Sequence, residues 1–388
     1  MVGKPPAAII GAGCTRFGDR LDAGLKELFV EAWREAAASV ERGFDPKRVK
    51  EAFIGSMGSS GHQIGNLAGG LVEQVGLRGI PAVRVENACA SGSWAFRLGL
   101  RAIADGADLV LVGGVEKMRE VTGWESRRWL GVGGDTDNER WHGLTFPGVF
   151  ALMARRHMEE FGTKREHFAA VAVKNHSNGA ENPKAALRNR VALEEAVKAP
   201  MVAAPLGLYD CCPAADGAAA LLLCRAEDAK KYTDTPVYVA GHGAATDTLG
   251  VVDRKSLTTL DATVAASREA YRQAGVGPKD LHLAEVHDCF TPTEIVACED
   301  LGFCEKGKGG PWVASGASGL DGDLPVNASG GLKAKGHPIG ATGVGQLCEV
   351  WTQLRGAAGK RQVRGAEVGL THNMGGFGVA CAVTVLRT

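Results

Sequence analysis

The sequence has no long hydrophobic run, no net charge and no cysteine pair of the C-x-x-C type. Apolar runs such as 109–112 and 218–224 are far shorter than the roughly 20 residues that a membrane-spanning helix needs. The 44 Lys and Arg residues balance the 44 Asp and Glu residues, so no bulk field attracts nucleic acid or an anionic membrane. We therefore expect neither a membrane nor a nucleic acid as a partner.

Secretory features are also missing. Residues 1–10 lack a basic segment followed by an apolar core and a cleavage site. The ten cysteines are scattered, and the spacings of Cys211–Cys212 and of Cys298 with Cys304 fit no common zinc site. We therefore expect reduced thiols, no metal site and a cytoplasmic location.

What the chain does have is length, glycine and a globular composition. Its 388 residues exceed one ordinary core, so two domains or one duplicated domain are expected. A hydrophobic content of 45% with 23% charged residues is typical of a soluble globular protein. The 54 glycines indicate tight turns and close approaches of the backbone to a ligand.

One cysteine lies where a strand pattern changes into a helix pattern. Residues 82–85 form an extended lead-in, and apolar side chains recur at helical spacing from Trp94 to Ala104. The residues around Cys89 are mostly small, which leaves room for a ligand beside the sulfur. Unpaired N–H groups and the macrodipole at a helix start favour a thiolate. We therefore predict that Cys89 is a nucleophile rather than a buried packing residue.

The second half of the chain repeats the order of elements of the first. Strands at 7–13 and 236–241 each end in glycine, and each is followed by an alanine-rich helix and a further strand. The pattern predicts an α/β fold with duplicated βαβ-rich halves in a five-layer α-β-α-β-α arrangement. Gly11 and Gly13 are similar to the start of a dinucleotide fingerprint, but Arg16 replaces its third glycine, so NAD is not expected.

A long segment without a strong strand interrupts the first half. We therefore predict three parts: an N-terminal half (1–119 and 201–230), an inserted loop domain that covers the site (120–200) and a C-terminal half (231–388). Long connections without a sheet of their own are commonly functional lids.

Three further stretches place chemistry at the ends of predicted strands. Glu285–Thr291 puts a histidine and a cysteine just past a strand, where α/β folds bind ligands. Asn327–Gly343 is a glycine-dense loop that presents His337, which Pro338 holds away from helical geometry. Thr371–Gly378 is a turn whose glycines can direct backbone N–H groups at an oxyanion. Each stretch alone fits a structural role, but together with Cys89 they predict an acyl-transfer site.

These motifs resemble those of the thiolases, and in particular the sterol carrier protein type with its archaeal and bacterial relatives. Asn87–Gly92 matches the cysteine motif of the family, Gly336–Gly343 matches its histidine motif, and Asp216–Ala220 extends the likeness. His287–Phe290 is the His-Asp-Cys-Phe stretch of this subgroup, where other thiolases have Asn-Glu-Ala-Phe. The resemblance spans residues 7–386 and implies the thiolase fold.

The resemblance implies catalytic roles for four side chains. His337 takes the thiol proton of Cys89, whose thiolate attacks an acyl-CoA thioester and forms an acyl-enzyme. Cys289 then removes or returns the α-proton while the carbon–carbon bond forms or breaks. His337 and a ring nitrogen or water held by His287 form one oxyanion hole. The implied enzyme is an acyl-CoA C-acyltransferase that makes or cleaves a β-ketoacyl-CoA, in a direction that the sequence leaves open.

The second oxyanion hole involves a C-terminal motif in which this sequence differs from the family. Better-known thiolases carry Cys-x-Gly near the C-terminus, whereas this chain has His372–Met374. The backbone N–H groups of Cys89 and of Met374 or Gly375 are the candidates for this hole. The subgroup resemblance implies that Cys289 supplies the thiol that is missing from the C-terminal motif.

Coenzyme A is the implied substrate and product, and no permanently bound cofactor is implied. Lys333 and Lys335 are candidate contacts for the CoA phosphates, although loop lysines are more often only solvated. Trp124, Trp129 and Trp141 in the insertion either line a pocket for a bulky or aromatic acyl group or pack the insertion, which is the commoner role.

The resemblance also implies protein partners and leaves alternatives. It implies at least a homodimer, paired through the strand before the nucleophile, and a small zinc-ribbon and OB-fold subunit of the kind that relatives bind. The alternatives are a carbon–carbon lyase that uses tyrosines, a ketoacyl synthase, and a non-catalytic acyl-CoA-binding or scaffold subunit. Retention of Cys89, Cys289 and His337 favours the thiolase.

Overall fold

The computed structural model describes residues 6–388, so Met1–Pro5, half of the segment in which no leader is expected, lie outside the described residues. The strands are β1 Ala7–Cys14, β2 Val49–Gly55, β3 Ala82–Val85, β4 Leu109–Glu116, β5 Met201–Ala203, β6 Leu206–Gly207, β7 Gly217–Arg225, β8 Val237–Thr246, β9 Leu283–Glu285, β10 Val368–Gly375 and β11 Ala380–Arg387. The helices are α1 Leu25–Ala38, α2 Leu67–Gln74, α3 Ser91–Ala104, α4 Gly123–Gly131, α5 Phe146–Phe161, α6 Arg165–Ala180, α7 Leu193–Lys198, α8 Asp261–Ala274, α9 Thr291–Asp300, α10 Gly309–Ala314, α11 Gly331–Lys335 and α12 Ile339–Leu354.

Nine strands form one sheet in the order β3-β2-β4-β7-β1-β8-β11-β10-β9, and β5 and β6 form a separate pair. In the first half, β2 and β4 are parallel, whereas β7 is antiparallel to both β4 and β1. In the second half, β9 and β10 are parallel, whereas β11 is antiparallel to both β10 and β8. Beside β9, a parallel bridge between Ala284 and Val326 occupies the sheet position that β3 has beside β2 in the first half. The two halves therefore share one pairing pattern, which confirms the predicted duplication.

Helices separate and cover the two half-sheets. The two half-sheets pair only briefly, where β1 and β8 align Ala8 with Tyr238 and Ile9 with Val237. Helix α12 packs on strands of both halves, and α3 packs on α12 and on the first half. Helices α1 and α2 cover the outer side of the first half, and α8 covers that of the second. This confirms the five-layer α-β-α-β-α arrangement.

Strand β7 shows why the sequence requires a layer on each side. Leu221 and Leu223 pack in the cluster that contains α3 and α12 side chains. Leu222 and Cys224 pack with α1 on the opposite side. Consecutive strand residues point to opposite faces of a sheet. A strand that is apolar at nearly every position is therefore stable only when helices cover both faces.

Two predicted loops contain regular structure. Strand β10 runs through Gly375, so the turn predicted for Thr371–Gly378 is confined to its last three residues, with φ of 60° at Gly376 and 75° at Gly378. The loop predicted for Asn327–Gly343 contains α11 and the start of α12. These predictions were wrong because glycine lowers intrinsic helix and strand propensity, whereas tertiary packing decides the outcome here.

Residues 6–388 include helices α1 to α12 and all ten cysteines. No helix in this range combines the length and apolarity needed to cross a membrane. All ten cysteines, which lie between Cys14 and Cys381, are free thiols.

Candidate active site

The Cys89 thiol lies in the turn between β3 and α3. Strand β3 ends at Val85 and α3 begins at Ser91, which confirms the predicted strand-to-helix position. The Ser91 hydroxyl accepts from the Asn87 N–H at 2.9 Å and donates to the Ala88 carbonyl at 2.5 Å. Ala88 has a φ of 48°, in the left-handed region that residues with a Cβ rarely adopt. The hydrogen bonds therefore hold a strained turn that presents the sulfur.

A cavity of about 190 Å³ opens at this turn. Both halves and the insertion contribute to its lining. The reactive residues that line it are Cys89, Cys211, Cys212, Cys289 and His337, and the apolar ones include Met57, Met118, Leu130, Phe146, Pro147, Phe290 and Ile339. The structure thus places three of the four predicted catalytic side chains in the lining of one largely apolar cavity.

The fourth predicted residue, His287, completes a compact cluster. One side-chain atom of each of Cys89, His287 and His337 lies within 4.8 Å of the other two. The imidazole rings meet at 86° with their centroids 5.1 Å apart. The three residues come from the turn before α3, the chain just after β9 and the turn before α12, so only the fold brings them together.

The partners of His337 define which ring nitrogen carries its proton. Nδ1 is 2.6 Å from the Thr342 hydroxyl, and this hydroxyl donates to the Pro338 carbonyl at 3.0 Å. Because a hydroxyl has a single proton, Thr342 accepts the Nδ1–H of His337. Nε2 then carries a lone pair, and it has no hydrogen-bond partner among the described residues. His337 is therefore set up as a base toward the cavity.

The partner of His287 imposes the opposite arrangement. The Asn373 amide nitrogen donates to Nδ1 of His287 at 3.0 Å. Nε2 therefore carries the proton, and within residues 6–388 it also lacks a hydrogen-bond partner. The backbone N–H of His287 donates to Nδ1 of His372 at 3.3 Å, a buried contact that the sequence did not predict. His287 is thus a potential donor to an oxyanion.

Burial keeps the resting cluster neutral. It raises the pKa of the Cys89 thiol to about 12, although hydrogen bonds from the backbone N–H groups of Gly376 and Cys89 oppose the rise. Burial also lowers the pKa of His337 to about 3 and that of His287 well below its usual value. The expectation that the helix start by itself favours the Cys89 thiolate was therefore wrong. Desolvation outweighs the helix terminus here.

Cys289 is a second neutral thiol at the same cavity. It is 6% exposed, and its sulfur is 4.0 Å from the Thr293 hydroxyl. Burial, followed by the proximity of Cys212 and Cys89, raises the pKa of Cys289 well above its usual value. A thiol with such a pKa donates a proton only to a strongly basic group, such as a departing thiolate.

The structure adds Gly376 as a backbone donor. Its backbone N–H opposes the rise in the pKa of Cys89, and the residue lines the cavity. Met374 and Gly375, the predicted donors, lie in β10, pair with β11 and are not part of the described lining. Their oxyanion role therefore stays a prediction. The glycine-rich turn after β10 was the sequence signal that could have identified Gly376.

The two lysines predicted at the CoA phosphates are buried. Lys333 and Lys335 are 2% and 6% exposed. The ammonium group of Lys333 lies 5.9 Å from the Tyr209 ring centre. That of Lys335 donates to the Gly345 carbonyl at 3.1 Å and lies 5.3 Å from the Phe17 ring centre. Neither lysine lines the cavity as described, so their positions do not favour a contact with a solvated phosphate.

The tryptophans of the insertion do not line the cavity either. Trp124 and Trp141 are 63% and 73% exposed, whereas Trp129 is partly buried. The guanidinium groups of Arg128 and Arg140 lie over the rings of Trp124 and Trp141 at 5.9 and 5.6 Å. The prediction that Trp124 and Trp141 pack inside the insertion is therefore wrong, because their rings lie on the surface.

Two buried carboxylates position the cluster and were not predicted. Glu116, at the end of β4, accepts the Gly340 N–H at 2.9 Å and three N–H groups of residues 57–59. Asp288 accepts the Leu332 N–H at 2.6 Å and so attaches α11 to the segment of His287. A single acid at the end of an apolar strand was the available signal for Glu116.

A duplicated five-layer fold with a thiol and two imidazoles beside one apolar cavity defines an acyl-transfer enzyme of the thiolase class. Two family models match nearly the whole chain. "Thiolase, N-terminal domain" covers residues 7–227, and "Thiolase C-terminal domain-like" covers residues 243–388. The chain belongs to the thiolase superfamily, as a member similar to sterol carrier protein 2, and it is an acyltransferase.

Individual relatives agree with this assignment. The acetyl-CoA acetyltransferase of Methanothermobacter thermautotrophicus is 46% identical over 381 residues, which are 97% of this chain and 98% of the relative. Sterol carrier protein 2 of Oryctolagus cuniculus is 35% identical over 99% of this chain and 72% of the relative. A solved structure described as an Ltp2-ChsH2(DUF35) aldolase has a TM-score of 0.85 and 25% identity, over 99% of this chain and 98% of that chain. A monomeric SCP2-thiolase like protein from Mycobacterium smegmatis shares the fold. Its TM-score is 0.76 and its sequence identity is 18%, over 100% of this chain and 78% of that chain.

Proposed function

We propose that this chain is a thiolase that interconverts a β-ketoacyl-CoA plus CoA with two acyl-CoA esters through an acyl-enzyme on Cys89. The supporting observation is the cluster in which one side-chain atom of each of Cys89, His287 and His337 lies within 4.8 Å of the other two. The Nε2 atoms of both rings have no hydrogen-bond partner among the described residues. A nucleophile, a base and an oxyanion donor are the groups that acyl transfer requires. The acetyl-CoA acetyltransferase at 46% identity also supports the proposal.

Acylation begins from a neutral thiol and a neutral imidazole. The thiol proton of Cys89 passes to Nε2 of His337 as the sulfur attacks the thioester carbonyl. Because the proton stays within the cluster, the apolar cavity gains no net charge in this step. The N–H groups of Cys89 and Gly376, with Met374 or Gly375 as the predicted alternatives, stabilise the carbonyl oxygen.

The departing CoA thiolate takes the proton of Cys289 and leaves as a thiol. The resulting Cys289 thiolate faces the His337 imidazolium, and it removes the α-proton of the second acyl-CoA. His337 and His287 both now present Nε2–H groups to the enolate oxygen. The enolate carbon attacks the acyl-enzyme, and Cys89 leaves and regains its proton from His337. Cleavage follows the same steps in reverse.

The acyl group that we propose is short. The cavity of about 190 Å³ is smaller than the roughly 300–1,000 Å³ of common ligand pockets. A bulky or aromatic acyl group was suggested by the tryptophans, but Trp124 and Trp129 are not part of the described lining. The relatives from Methanothermobacter thermautotrophicus and Methanocaldococcus jannaschii are both described as acetyl-CoA acetyltransferases.

The second candidate is a carbon–carbon lyase or a non-catalytic acyl-CoA-binding subunit. It is favoured by the likeness, at 25% identity, to a structure described as an aldolase. The thiolase resemblance implies that such lyases use tyrosines in place of the thiols. The four tyrosines of the chain lie outside the described lining of the cavity, whereas two candidate catalytic thiols lie in it. The cavity therefore supports the thiolase over the lyase.

We also propose two protein partners. The structure that is similar to this chain at a TM-score of 0.85 is described with a DUF35 component, which supports a small zinc-ribbon and OB-fold subunit here. Strand β3 lies at the free edge of the sheet, and its Val83 is 50% exposed, which supports a homodimer paired through this strand. Full activity of the chain purified alone would rule out a required subunit.

We further propose that residues 120–200 act as an inserted cover, between an N-terminal half (6–119 and 201–230) and a C-terminal half (231–388). The insertion contributes Arg127, Leu130, Gly133, Phe146 and Pro147 to the cavity lining. The free thiols of the chain are compatible with the reducing conditions of a cytoplasm, the location that we propose.

The test is a panel of β-ketoacyl-CoA esters incubated with CoA, with loss of the enolate absorbance as the readout. We expect acetoacetyl-CoA to be cleaved fastest and Cys89→Ala to lose the activity. Cys304→Ser is the matched control, because Cys304 is a half-buried thiol outside the cavity lining. Cleavage that persists in Cys89→Ala, or that consumes no CoA, would contradict the thiolase and support the lyase.

A further inference from the structure

The side chains that we place in acyl transfer also have the composition of a metal site. We propose that Cys89, His287 and His337 bind a soft divalent cation such as Zn²⁺ while the cavity is free of acyl-CoA, and that this cation blocks the nucleophile. The inference shares its residues with the proposed function, but it does not require that the chain be a thiolase. No metal site was expected from the sequence, because these three residues are far apart in the chain and only the fold brings them together.

The distances between the ligand atoms are close to those of a tetrahedral site. The three atoms lie within 4.8 Å of one another. In a tetrahedral zinc site with Zn–S of about 2.3 Å and Zn–N of about 2.0 Å, ligand atoms are roughly 3.3–3.7 Å apart. The cluster therefore has to contract by about 1 Å, which rotation of the Cys89 side chain and of the two rings can supply.

Two buried ring nitrogens make no hydrogen bond that metal binding would have to break. Nε2 of His287 and Nε2 of His337 have no hydrogen-bond partner among the described residues. The two residues are 0% and 6% exposed. A buried polar atom without a partner is costly, and a bound cation would satisfy both nitrogens at once.

The residues that hydrogen-bond to the two imidazole rings are suited to orient these rings as metal ligands. His337 already donates its Nδ1–H to Thr342, at 2.6 Å, and leaves the Nε2 lone pair free. A histidine that binds a metal commonly donates its other N–H in this way. His287 requires the opposite tautomer, with the proton on Nδ1. The Asn373 amide oxygen lacks a partner in the described structure, and rotation of this amide would let it accept that Nδ1–H.

The donor set selects the class of cation. One thiolate and two imidazoles suit Zn²⁺ and Co²⁺, whereas Mg²⁺ and Ca²⁺ prefer oxygen ligands. Binding forms one metal–sulfur and two metal–nitrogen bonds. The thiol proton of Cys89 passes to the solvent, and no oxidation or reduction takes place. The fourth position faces the cavity and takes a water, as in zinc sites with three protein ligands.

The test uses Co²⁺ as the probe, because a cobalt–thiolate bond gives a charge-transfer band that can be titrated without any CoA ester. We expect the full-length, metal-free chain to bind one Co²⁺ with this band and with the visible spectrum of a tetrahedral site. Zn²⁺ should displace the Co²⁺. Prior alkylation of Cys89 with iodoacetamide should abolish the band.

Variants identify the ligands. Cys89→Ser should lose the charge-transfer band, and His287→Ala and His337→Ala should each weaken Co²⁺ binding at least about tenfold. Cys304→Ser should bind as the unchanged chain does, and circular dichroism checks the fold of each variant. A wild-type chain without the band, or an equal band in Cys89→Ser, would overturn the metal site. Because no CoA ester is present, such a result would leave the thiolase proposal intact.

Discussion

His287 and His337 meet at 86° with their ring centroids 5.1 Å apart, yet they present opposite groups to the cavity. Asn373 donates to Nδ1 of His287 and so places a proton on Nε2. Thr342 accepts from Nδ1 of His337 and so leaves a lone pair on Nε2. One ring is therefore a donor and the other a base. Two residues outside the cavity lining set this division of roles.

Replacing Asn373 tests this division. Asn373→Ala removes the donor that holds the Nε2–H tautomer of His287. We expect the rate of the carbon–carbon step to fall about 100-fold, the cost of losing one oxyanion donor. Acylation of Cys89 should change little, because it uses His337 as the base. The measurement compares the steady-state condensation rate with the rate of single-turnover acylation.

The control for this variant is Asn138→Ala, since Asn138 is an exposed asparagine of the insertion. It should leave both rates unchanged. Equal losses of acylation and condensation in Asn373→Ala would mean that Asn373 supports the whole cluster rather than the tautomer of His287.

Cys289→Ser separates the two half-reactions. A serine hydroxyl does not give up its proton to a thiolate as a thiol does, so the enolate should not form. We expect condensation to fall by roughly 10²–10⁴-fold, the usual contribution of a general base. Cys89 should still be acylated by acyl-CoA, because in this variant the departing CoA thiolate can take its proton from the His337 imidazolium instead. Quenched-flow mass spectrometry of the Cys89 peptide and the condensation assay give the two rates. Equal loss of both rates would refute the separate role of Cys289.

The pH dependence of alkylation tests the neutral resting state. Burial raises the pKa of Cys89 to about 12, so the thiolate fraction should rise about tenfold per pH unit below that value. We expect the rate of iodoacetamide labelling of the Cys89 peptide to rise continuously between about pH 7 and pH 9. A plateau near neutral pH would show instead a thiolate–imidazolium pair in the free enzyme.

The glycine at the start of α12 tests how the cluster is assembled. A Cβ on Gly340 would lie 2.6 Å from the Gly55 carbonyl oxygen, so Gly340→Ala should reduce the free energy of unfolding by about 1–3 kcal/mol. Gly69→Ala is the matched control, because a Cβ on Gly69 in α2 meets nothing within 4 Å. It should leave stability equal or raise it by up to about 1 kcal/mol. Urea denaturation measures both, and equal stabilities would contradict the close packing of α12.

The sequence predicted the elements that local patterns encode. The change from strand to helix at Cys89 was predicted because apolar spacing changes from an extended to a helical repeat within a few residues. The duplicated halves were predicted because the order of strands, glycines and helices recurs. The grouping of Cys89, Cys289 and His337 at one cavity agrees with what the family resemblance implied.

The sequence did not predict features that depend on distant residues. Burial of Lys333 and Lys335 results from packing on Tyr209 and Phe17, which lie far away in the chain. The high pKa of Cys89 results from a cavity closed by several segments, whereas the sequence shows only the helix start. Tautomers likewise depend on partners that no local pattern reveals.

The most direct test of the account is acylation of Cys89 itself. The chain, with any small subunit that co-purifies, is incubated with acetyl-CoA, quenched in acid and analysed by peptide mass spectrometry. We predict the added mass of one acetyl group on the peptide that contains Cys89, and its loss when CoA is added before the quench. An unmodified Cys89 peptide, or an acetyl group on Cys289 instead, would contradict the central claim.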